Sequence, residues 1–311
     1  MFDGDLGHSA VSDTTVTRAV VASVQEGAVR RGERAALVDG GRELAFSTFA
    51  AVVPAAAAGL GRHGVLPGDV GAIHLSGVCD LALALHAVTA VGAVPAPLPR
   101  GAPVDELSRM MSESGARFLL TGGAQAAASL AAVERSYVRQ VFAFGDLPGA
   151  TPFARLVEGG PARPPEPGHT VDPLNDLALR LWEPPAEITH ADRLADLYRL
   201  GGLAGIGEGD VLACAPGDCS PLTAIGLMDL CLTQGATFVG VADSGVPALL
   251  ESVRAHGATM AVVTPDALRA LAYDHPALDG PRVRLLVTGV PDPEVVQACR
   301  TRHGWTVAAL I

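Results

Sequence analysis

The sequence contains no lysine, because all 22 of its basic residues are arginine. Mechanisms that need a lysine amine, such as Schiff-base formation or the lysine of a phosphate-binding loop, are therefore excluded for the residues of this chain. Aromatic residues are also scarce at 4%, and charged residues reach only 18%, whereas hydrophobic residues make up 49%. This composition excludes a disordered chain and is typical of a compact protein with a sizeable core.

Positive charge is too scattered to suggest a nucleic-acid partner. The net charge is -11, and the arginines form no cluster. A weakly charged run, "LALALHAVTAVGAVPAPLP" (81–99), contains His86 and three prolines. It is interpreted as a buried helix followed by a buried strand, so no membrane span is predicted.

The five cysteines show no paired metal-ligand spacing, and no metal site is predicted from them. The first residues, "MFDGDLGHSAVSD", are acidic and lack the apolar segment of a signal peptide. An odd number of cysteines without such a signal favours reduced thiols and a cytoplasmic protein. Residues 1–15 are expected to be flexible.

A phrase recurs in "ESGARFLLTGG" (113–123), "TQGATFVGVAD" (233–243) and "AHGATMAVVTP" (255–265). Each predicts a helix end, a left-handed glycine cap and a short apolar strand. Strands that are apolar throughout are typical of parallel sheets covered on both faces. Helices are predicted at about 16–31, 47–63, 78–91, 104–114, 221–234, 246–256 and 291–303. This alternation predicts a doubly wound α/β fold.

The stretch "EGGPARPPEPGHTVDP" (158–173) is dense in proline, which opposes both helix and strand. We predict a linker there, between a first α/β subdomain at 16–157 and a second at 174–311. In the first subdomain, Ser47 is predicted to be a helix N-cap. Pro54 falls inside the same helix and is expected to kink or shorten it.

An ordered set of segments points to a family. The segments are "AALVDGGRELAFSTFAAVVPAAAAGLGRHGVLPGDVGAIHL" (35–75), "HAVTAVGAVPAPLP" (86–99), "MSESGARFLLT" (111–121), "GIGEGDVLACAPGDCSPLTAIGLMDLCLTQGATFV" (205–239), "VVTPDALRAL" (262–271) and "VRLLVTGVPDPEVVQACRTRHG" (283–304). In this order they resemble the adenylate-forming superfamily of acyl-CoA synthetases, luciferases and peptide-synthetase adenylation domains. The resemblance covers most of the chain. It implies two stacked, mostly parallel αβα subdomains, like the N-terminal part of acyl-CoA synthetases.

The stretch "LWEPPAEITHADRL" (181–194) departs from that family. In the family, the matching strand leads into a Ser/Thr/Gly-rich loop ending in Pro-Lys-Gly, and then into a Thr-His pair. This chain keeps Thr189 and His190, but "EPPAE" replaces the loop and is several residues too short. A phosphate cradle needs backbone N–H groups exposed by glycines, and usually a cation. Prolines remove N–H groups, and Glu183 and Glu187 would repel a triphosphate. The phosphate loop is therefore interpreted as lost.

Other departures from the family agree. The family has an aromatic residue and a histidine after the proline of its central block, whereas "APGDCSP" places Asp218 and Cys219 there. The sequence stops at "WTVAALI", before the family's Tyr-Gly-x-Thr-Glu segment, its ribose-binding Asp and its small C-terminal domain. The resemblance thus implies a truncated ligase. ATP and Mg²⁺ are not expected to bind productively, and no cofactor is predicted.

Thr189 and His190 have two interpretations each. Thr189 is either a relic of a phosphate contact or a helix N-cap that forms a capping box with Asp192, and the cap is favoured. His190 is either a surface or cap-neighbouring histidine, which is favoured, or a base near the mouth of a pocket.

Asp218, Cys219 and Ser220 form the most reactive-looking stretch, in a loop that lines the acyl pocket in the family. A cysteine becomes a nucleophile when its pKa is lowered. A neighbouring carboxylate raises that pKa, unless a cationic His190 approaches. An ordinary polar loop is the favoured interpretation. "GDCSP" does not match the Gly-x-Ser-x-Gly nucleophile motif, which argues against an ordinary α/β-hydrolase.

Thr264-Pro265 and Thr288-Gly289 end predicted strands. Ligands of open α/β sheets lie at the carboxyl ends of strands. By their position in the family, the resemblance implies that these residues line an acyl or pantetheine channel. Strand-end turns explain them equally well. His74, near another strand end, is predicted to be a packed core histidine, and Cys214 to be a core residue.

Three functions remain open. The first is a non-adenylating protein that binds an acyl, acyl-CoA or acyl-carrier-protein ligand, or a partner in a biosynthetic pathway. The second is an enzyme that hydrolyses or transfers acyl thioesters at Cys219 or Ser220. The third is one half of a split ligase. Uncovered apolar surface at the end of the sequence favours a homodimer or a complex with a pathway enzyme.

Overall fold

A computed structural model describes residues 15–159, 171–215, 217–276 and 282–310. They form two compact units, one of residues 15–25 and 47–195 and the other of residues 26–46 and 196–310. The predicted flexible N-terminus lies outside the described residues except for Thr15, and so do residues 160–170 of the predicted linker.

Strands and helices alternate along the described chain, as the sequence predicted. The strands are β1 Ala35–Asp39, β2 Arg42–Ala45, β3 Val70–His74, β4 Val94–Pro97, β5 Ala116–Gly122, β6 Gln140–Phe144, β7 Thr151–Pro152, β8 Leu177–Trp182, β9 Pro185–Thr189, β10 Val211–Cys214, β11 Thr237–Gly240, β12 Met260–Val263, β13 Arg284–Val287 and β14 Thr306–Ala309. The helices are α1 Val16–Arg31, α2 Phe46–Arg62, α3 Val78–Ala90, α4 Val104–Glu113, α5 Ala126–Val133, α6 Phe153–Val157, α7 His190–Ala204, α8 Pro221–Gln234, α9 Val246–His256, α10 Pro265–Tyr273 and α11 Pro293–His303.

The first unit contains a five-stranded sheet in the order β4-β3-β5-β6-β7, with every pairing parallel. Its strand β5 is buried along nearly its whole length, as expected for a parallel strand covered on both faces. Helix α3 and strand β4 account for the apolar run at 81–99, which confirms the predicted helix–strand pair. Within the described residues, no helix is long and apolar enough to cross a membrane.

The second unit contains a seven-stranded sheet in the order β14-β13-β12-β10-β11-β1-β2, in which only the β1–β2 pairing is antiparallel. The predicted mixed α/β fold with mostly parallel sheets is therefore confirmed.

Two features of the division differ from the sequence prediction. Strands β1 and β2 were assigned to the first subdomain, yet β1 pairs in parallel with β11, with Leu37 opposite Phe238. This pairing satisfies the backbone groups of β11, which would otherwise form an open edge. Along the chain, the boundary between the units falls within helix α7, after Ala195, rather than at residues 158–173.

Glycine ends the helices of all three recurring phrases. Gly235 and Gly257 are left-handed C-caps of α8 and α9, and Gly115 adopts the same conformation just after α4. Only glycine adopts this conformation without strain, which confirms the predicted caps.

Helix α2 was predicted to begin after an N-cap at Ser47 and to be kinked or shortened by Pro54. It begins at Phe46, so Ser47 lies inside the helix and is not its N-cap. It also continues through Pro54 to Arg62, so the proline does not shorten it. The apolar side chains at helical spacing on one face, Phe49, Val53, Ala56 and Leu60, are fully buried. Burial of this face compensates for the hydrogen bond that the proline cannot donate.

Candidate functional site

The stretch that replaces the expected phosphate loop forms a β-hairpin in the first unit. Strands β8 and β9 pair antiparallel, from Leu177 opposite Thr189 to Trp182 opposite Pro185. Only Glu183 and Pro184 are left for the turn. The sequence analysis did not predict β9. Pro185 is the first residue of β9, where a missing N–H group is tolerated.

Two of the three charged side chains of the hairpin, Arg180 and Glu187, neutralise each other. The Arg180 guanidinium donates a hydrogen bond to the Ser114 carbonyl oxygen at 2.9 Å and forms an ion pair with Glu187. A cavity of about 360 Å³ lies against the hairpin, lined in part by Arg180, Trp182, Glu187 and Glu113. The two carboxylates and the one paired guanidinium leave this cavity without an excess of positive charge.

Helix α7 begins immediately after the hairpin with a capping box. The Asp192 N–H group donates to Thr189 Oγ1 at 3.1 Å, and the Thr189 N–H group donates back to Asp192 Oδ2 at 3.1 Å. The Thr189 hydroxyl also donates to Asp192 Oδ2 at 2.8 Å. This reciprocal pair confirms the predicted cap.

The other N–H groups of this first turn also have acceptors. Ala191 N–H donates to the Pro173 carbonyl oxygen at 2.9 Å, and His190 N–H donates to that of Asp176 at 3.4 Å. A helix N-terminus binds anions through N–H groups that the protein leaves unsatisfied. At α7, residues 190 to 192 are already bonded within the protein.

His190 is buried, with only 2% of its surface exposed, so the interpretation as a surface histidine is wrong. It does lie next to the cap, as the same interpretation proposed. Burial and the charge of Arg193 lower the pKa of His190 to about 4, against an opposing effect of Asp176. Its ring is therefore neutral at pH 7, and Nδ1 has no hydrogen-bond partner. The position of the ring in the core was not visible in the sequence.

The candidate residues of the second unit lie in loops at the carboxyl ends of parallel strands β10, β12 and β13. The Thr288 hydroxyl donates to the Asp218 carbonyl oxygen at 2.7 Å. Gly289 lies beside Pro265, because a Cβ atom at Gly289 would lie 3.5 Å from Pro265 Cγ. These contacts bring the three loops together at one edge of the sheet, where open α/β folds bind ligands.

Two hydroxyls at this edge serve as helix caps. Ser220 Oγ accepts a hydrogen bond from the Thr223 N–H group at the start of α8, and Thr264 Oγ1 accepts one from Ala267 at the start of α10, both at 3.1 Å. For Thr264, this supports the interpretation as a strand-end turn. For Ser220, the cap gives the hydroxyl a structural role.

Asp218 and Cys219 show no nucleophile–base pair with each other. Asp218 is buried, and burial raises the pKa of its carboxyl. The Cys219 sulfur lies 3.8 Å from the sulfur of Cys214, so its side-chain partner is a second thiol. Cys214 is buried as predicted.

His74 is packed in the core of the first unit, as predicted. Its Nδ1 atom lies 2.8 Å from Ser129 Oγ, which lies 2.8 Å from Thr121 Oγ1. Desolvation of the ring lowers the pKa of His74, and all three residues are buried. In the part of the chain that the structure describes, no three His, Cys, Asp or Glu residues are grouped to hold a metal.

Comparison with known protein families gives a match over the first half of the chain. Residues 24–178 match the family described as AMP-binding enzyme. This region belongs to that family. The match ends at Ala178, inside β8 and just before the hairpin turn.

The chain is also similar to proteins described as ligases. The chain is 26% identical over 302 residues to the salicyl-AMP ligase / salicyl-S-ArCP synthetase of Mycobacterium tuberculosis, covering 91% of this chain and 53% of the relative. The apo structure of MbtA from Mycobacterium smegmatis gives a TM-score of 0.76 at 21% identity, covering 94% of this chain and 56% of that one.

A benzoate CoA ligase from Burkholderia xenovorans LB400 gives a TM-score of 0.77 at 18% identity, covering 95% of this chain and 60% of that one. The chain therefore has the fold of adenylate-forming ligases and spans between half and three fifths of the length of these relatives.

Proposed function

We propose that this chain does not form acyl-adenylates, and that it binds an acyl group or acyl thioester, alone or together with a partner protein. The main support is the two-residue turn between β8 and β9, in the position where the resemblance places a phosphate loop. The cap of α7 supports the same conclusion, because its first N–H groups are bonded within the protein.

The charges around the hairpin also support this proposal. Adenylation must neutralise a triphosphate and stabilise the charge that develops during in-line attack. Here Arg180 is paired with Glu187, and the ring of the adjacent His190 is neutral. Removing one transition-state donor from an enzyme typically costs about a hundred- to a thousand-fold in rate. Losing the donors of an entire loop is expected to leave no measurable adenylation.

An aryl acyl group is the ligand class that the relatives suggest. One relative is described as acting on a salicyl group and another as a benzoate CoA ligase. The convergent loops at 218–220, 264–265 and 288–289 are the place in the second unit where such a ligand would bind. We propose no cofactor and no metal for this function.

The decisive experiment is pyrophosphate exchange with ATP, Mg²⁺ and a panel of aryl, fatty and amino acids, with a complete aryl-acid ligase as the positive control. No acid-dependent exchange is expected from this chain. Calorimetry with ATP and Mg²⁺ is expected to show no binding, whereas salicyl or benzoyl thioesters are expected to bind. Acid-dependent exchange above background would overturn the proposal that the chain does not adenylate. Failure of every thioester to bind would refute the proposed acyl-thioester ligand.

The two alternatives predict different outcomes. A thioester-cleaving enzyme would release free thiol from a benzoyl thioester, and a Cys219→Ala variant would lose that release. The cap at Ser220 and the thiol partner of Cys219 weigh against this alternative. A split ligase would exchange pyrophosphate only after a second chain is added, although the hairpin occupies the loop position within this chain.

A further inference from the structure

Two cysteines lie side by side at the carboxyl edge of the second unit's sheet. Cys214 ends β10 and is buried, whereas Cys219 lies in the loop before α8 and is half-buried. Their sulfur atoms are 3.8 Å apart, which is contact distance for two reduced thiols. The other three cysteines, at 79, 231 and 299, are buried.

The two thiols differ in their access to solvent. A hydrogen bond to Cys219, burial and the charge of Asp218 raise the pKa of Cys214 well above its ordinary value. Cys214 is therefore a protonated thiol in the reduced protein, and it is shielded from solvent. Cys219 is the sulfur that a small reagent reaches first, because it is the more exposed of the pair. Such an accessible sulfur beside a buried one is the arrangement of an attacking and a resolving cysteine.

We propose that Cys214 and Cys219 form a reversible disulfide by reaction with a low-molecular-weight disulfide such as oxidised glutathione. The Cys219 thiolate attacks one sulfur of the reagent, the reagent's S–S bond breaks, and one glutathione thiolate leaves. The Cys214 thiol then loses its proton and attacks Cys219 Sγ, and the second glutathione thiolate leaves. The two cysteines lose two electrons and two protons, and one oxidised glutathione becomes two reduced ones.

The two sulfur atoms are already close to the separation of a disulfide. A disulfide needs its sulfurs about 2.05 Å apart, so the present separation must shorten by about 1.8 Å. Gly217 lies between the two cysteines with a φ of 88°, a conformation that glycine adopts without strain. The Thr288 hydroxyl holds the same loop at the Asp218 carbonyl oxygen. The disulfide would therefore fix the loop at the edge where the three candidate loops meet.

The test incubates the whole folded chain with oxidised glutathione, blocks the remaining thiols with N-ethylmaleimide in denaturant, and digests the product with Asp-N protease. Cleavage before Asp210, Asp218 and Asp229 places Cys214 and Cys219 in separate peptides, 210–217 and 218–228. The expected product is these two peptides joined by a disulfide that dithiothreitol releases. Cys231 falls in a third peptide and is expected to remain alkylated.

Variants separate the roles of the two thiols. Cys214→Ser is expected to accumulate one glutathione on Cys219, because nothing resolves the mixed disulfide. Cys219→Ser is expected to show neither cross-link nor adduct over the same time. The proposal is overturned if wild-type protein, still folded by circular dichroism, ends with both cysteines alkylated and uncoupled. It is equally overturned if Cys219→Ser reacts as fast as wild type. Neither result depends on an acyl ligand.

Discussion

Two glycines of helix α2 are expected to respond in opposite directions to replacement by alanine. Gly59 is buried against α6, and a Cβ atom there would lie 2.2 Å from the Leu156 carbonyl oxygen and 2.5 Å from Leu156 Cα. Gly61, two residues further along the helix, is exposed, and its nearest neighbour would be the Val91 side chain at 3.8 Å. The pair therefore tests helix packing against a control of the same type in the same helix.

The size of each effect follows from these contacts. Overpacking against backbone atoms, which cannot rotate away, is expected to cost about 3 kcal/mol at Gly59. Alanine's higher helix propensity offsets about 1 kcal/mol of that. Gly59→Ala is thus expected to lower the free energy of unfolding by about 2 kcal/mol. Gly61→Ala meets no obstruction and is expected to raise it by up to about 1 kcal/mol.

Urea unfolding followed by tryptophan fluorescence measures the difference. The chain has two tryptophans, Trp182 in the first unit and Trp305 in the second. In a Trp305→Phe background, the emission comes from Trp182, in the same unit as both glycines. A Gly59→Ala variant as stable as its parent would refute the close approach of α2 and α6. Equal losses in both variants would refute the explanation by packing.

Three further predictions concern the first unit. Thr189→Ala removes the cap from Asp192 and is expected to lower stability by about 1 kcal/mol in the same assay, while Thr189→Ser retains it; an Ala variant without loss would contradict the cap. Ser129→Ala leaves His74 Nδ1 unpaired in the core and is expected to cost about 1–3 kcal/mol, and a neutral effect would argue against that hydrogen bond. The pKa of His190 is about 4 in the folded protein and 6.5 ordinarily, so the unfolded state binds the proton first as the pH falls. Stability is therefore expected to decline from about pH 6.5 towards pH 4, and less steeply in His190→Gln; identical slopes would contradict burial of a neutral ring.

Local sequence determined much of the secondary structure. Helices α8 and α9 have the predicted bounds, and the glycines at 235 and 257 end them. A left-handed cap needs only the glycine and the residues of the preceding turn. The capping box of Thr189 and Asp192 was visible for the same reason, because its partners are three residues apart. The apolar strands predicted parallel sheets without fixing their order.

Tertiary structure decided how distant segments meet. The pairing of β1 with β11 joins residues about two hundred positions apart. Nothing in the sequence "AALVD" of β1 indicates that it pairs with β11. The β8–β9 hairpin accommodates its proline because Pro185 is the first residue of β9, where a missing N–H group is tolerated. The burial of His190 and the contact of Thr288 with Asp218 likewise depend on long-range packing. Sequence periodicity and cap chemistry depend on a residue's near neighbours along the chain. Burial and strand order depend on which apolar surfaces of distant segments pack against each other and exclude water.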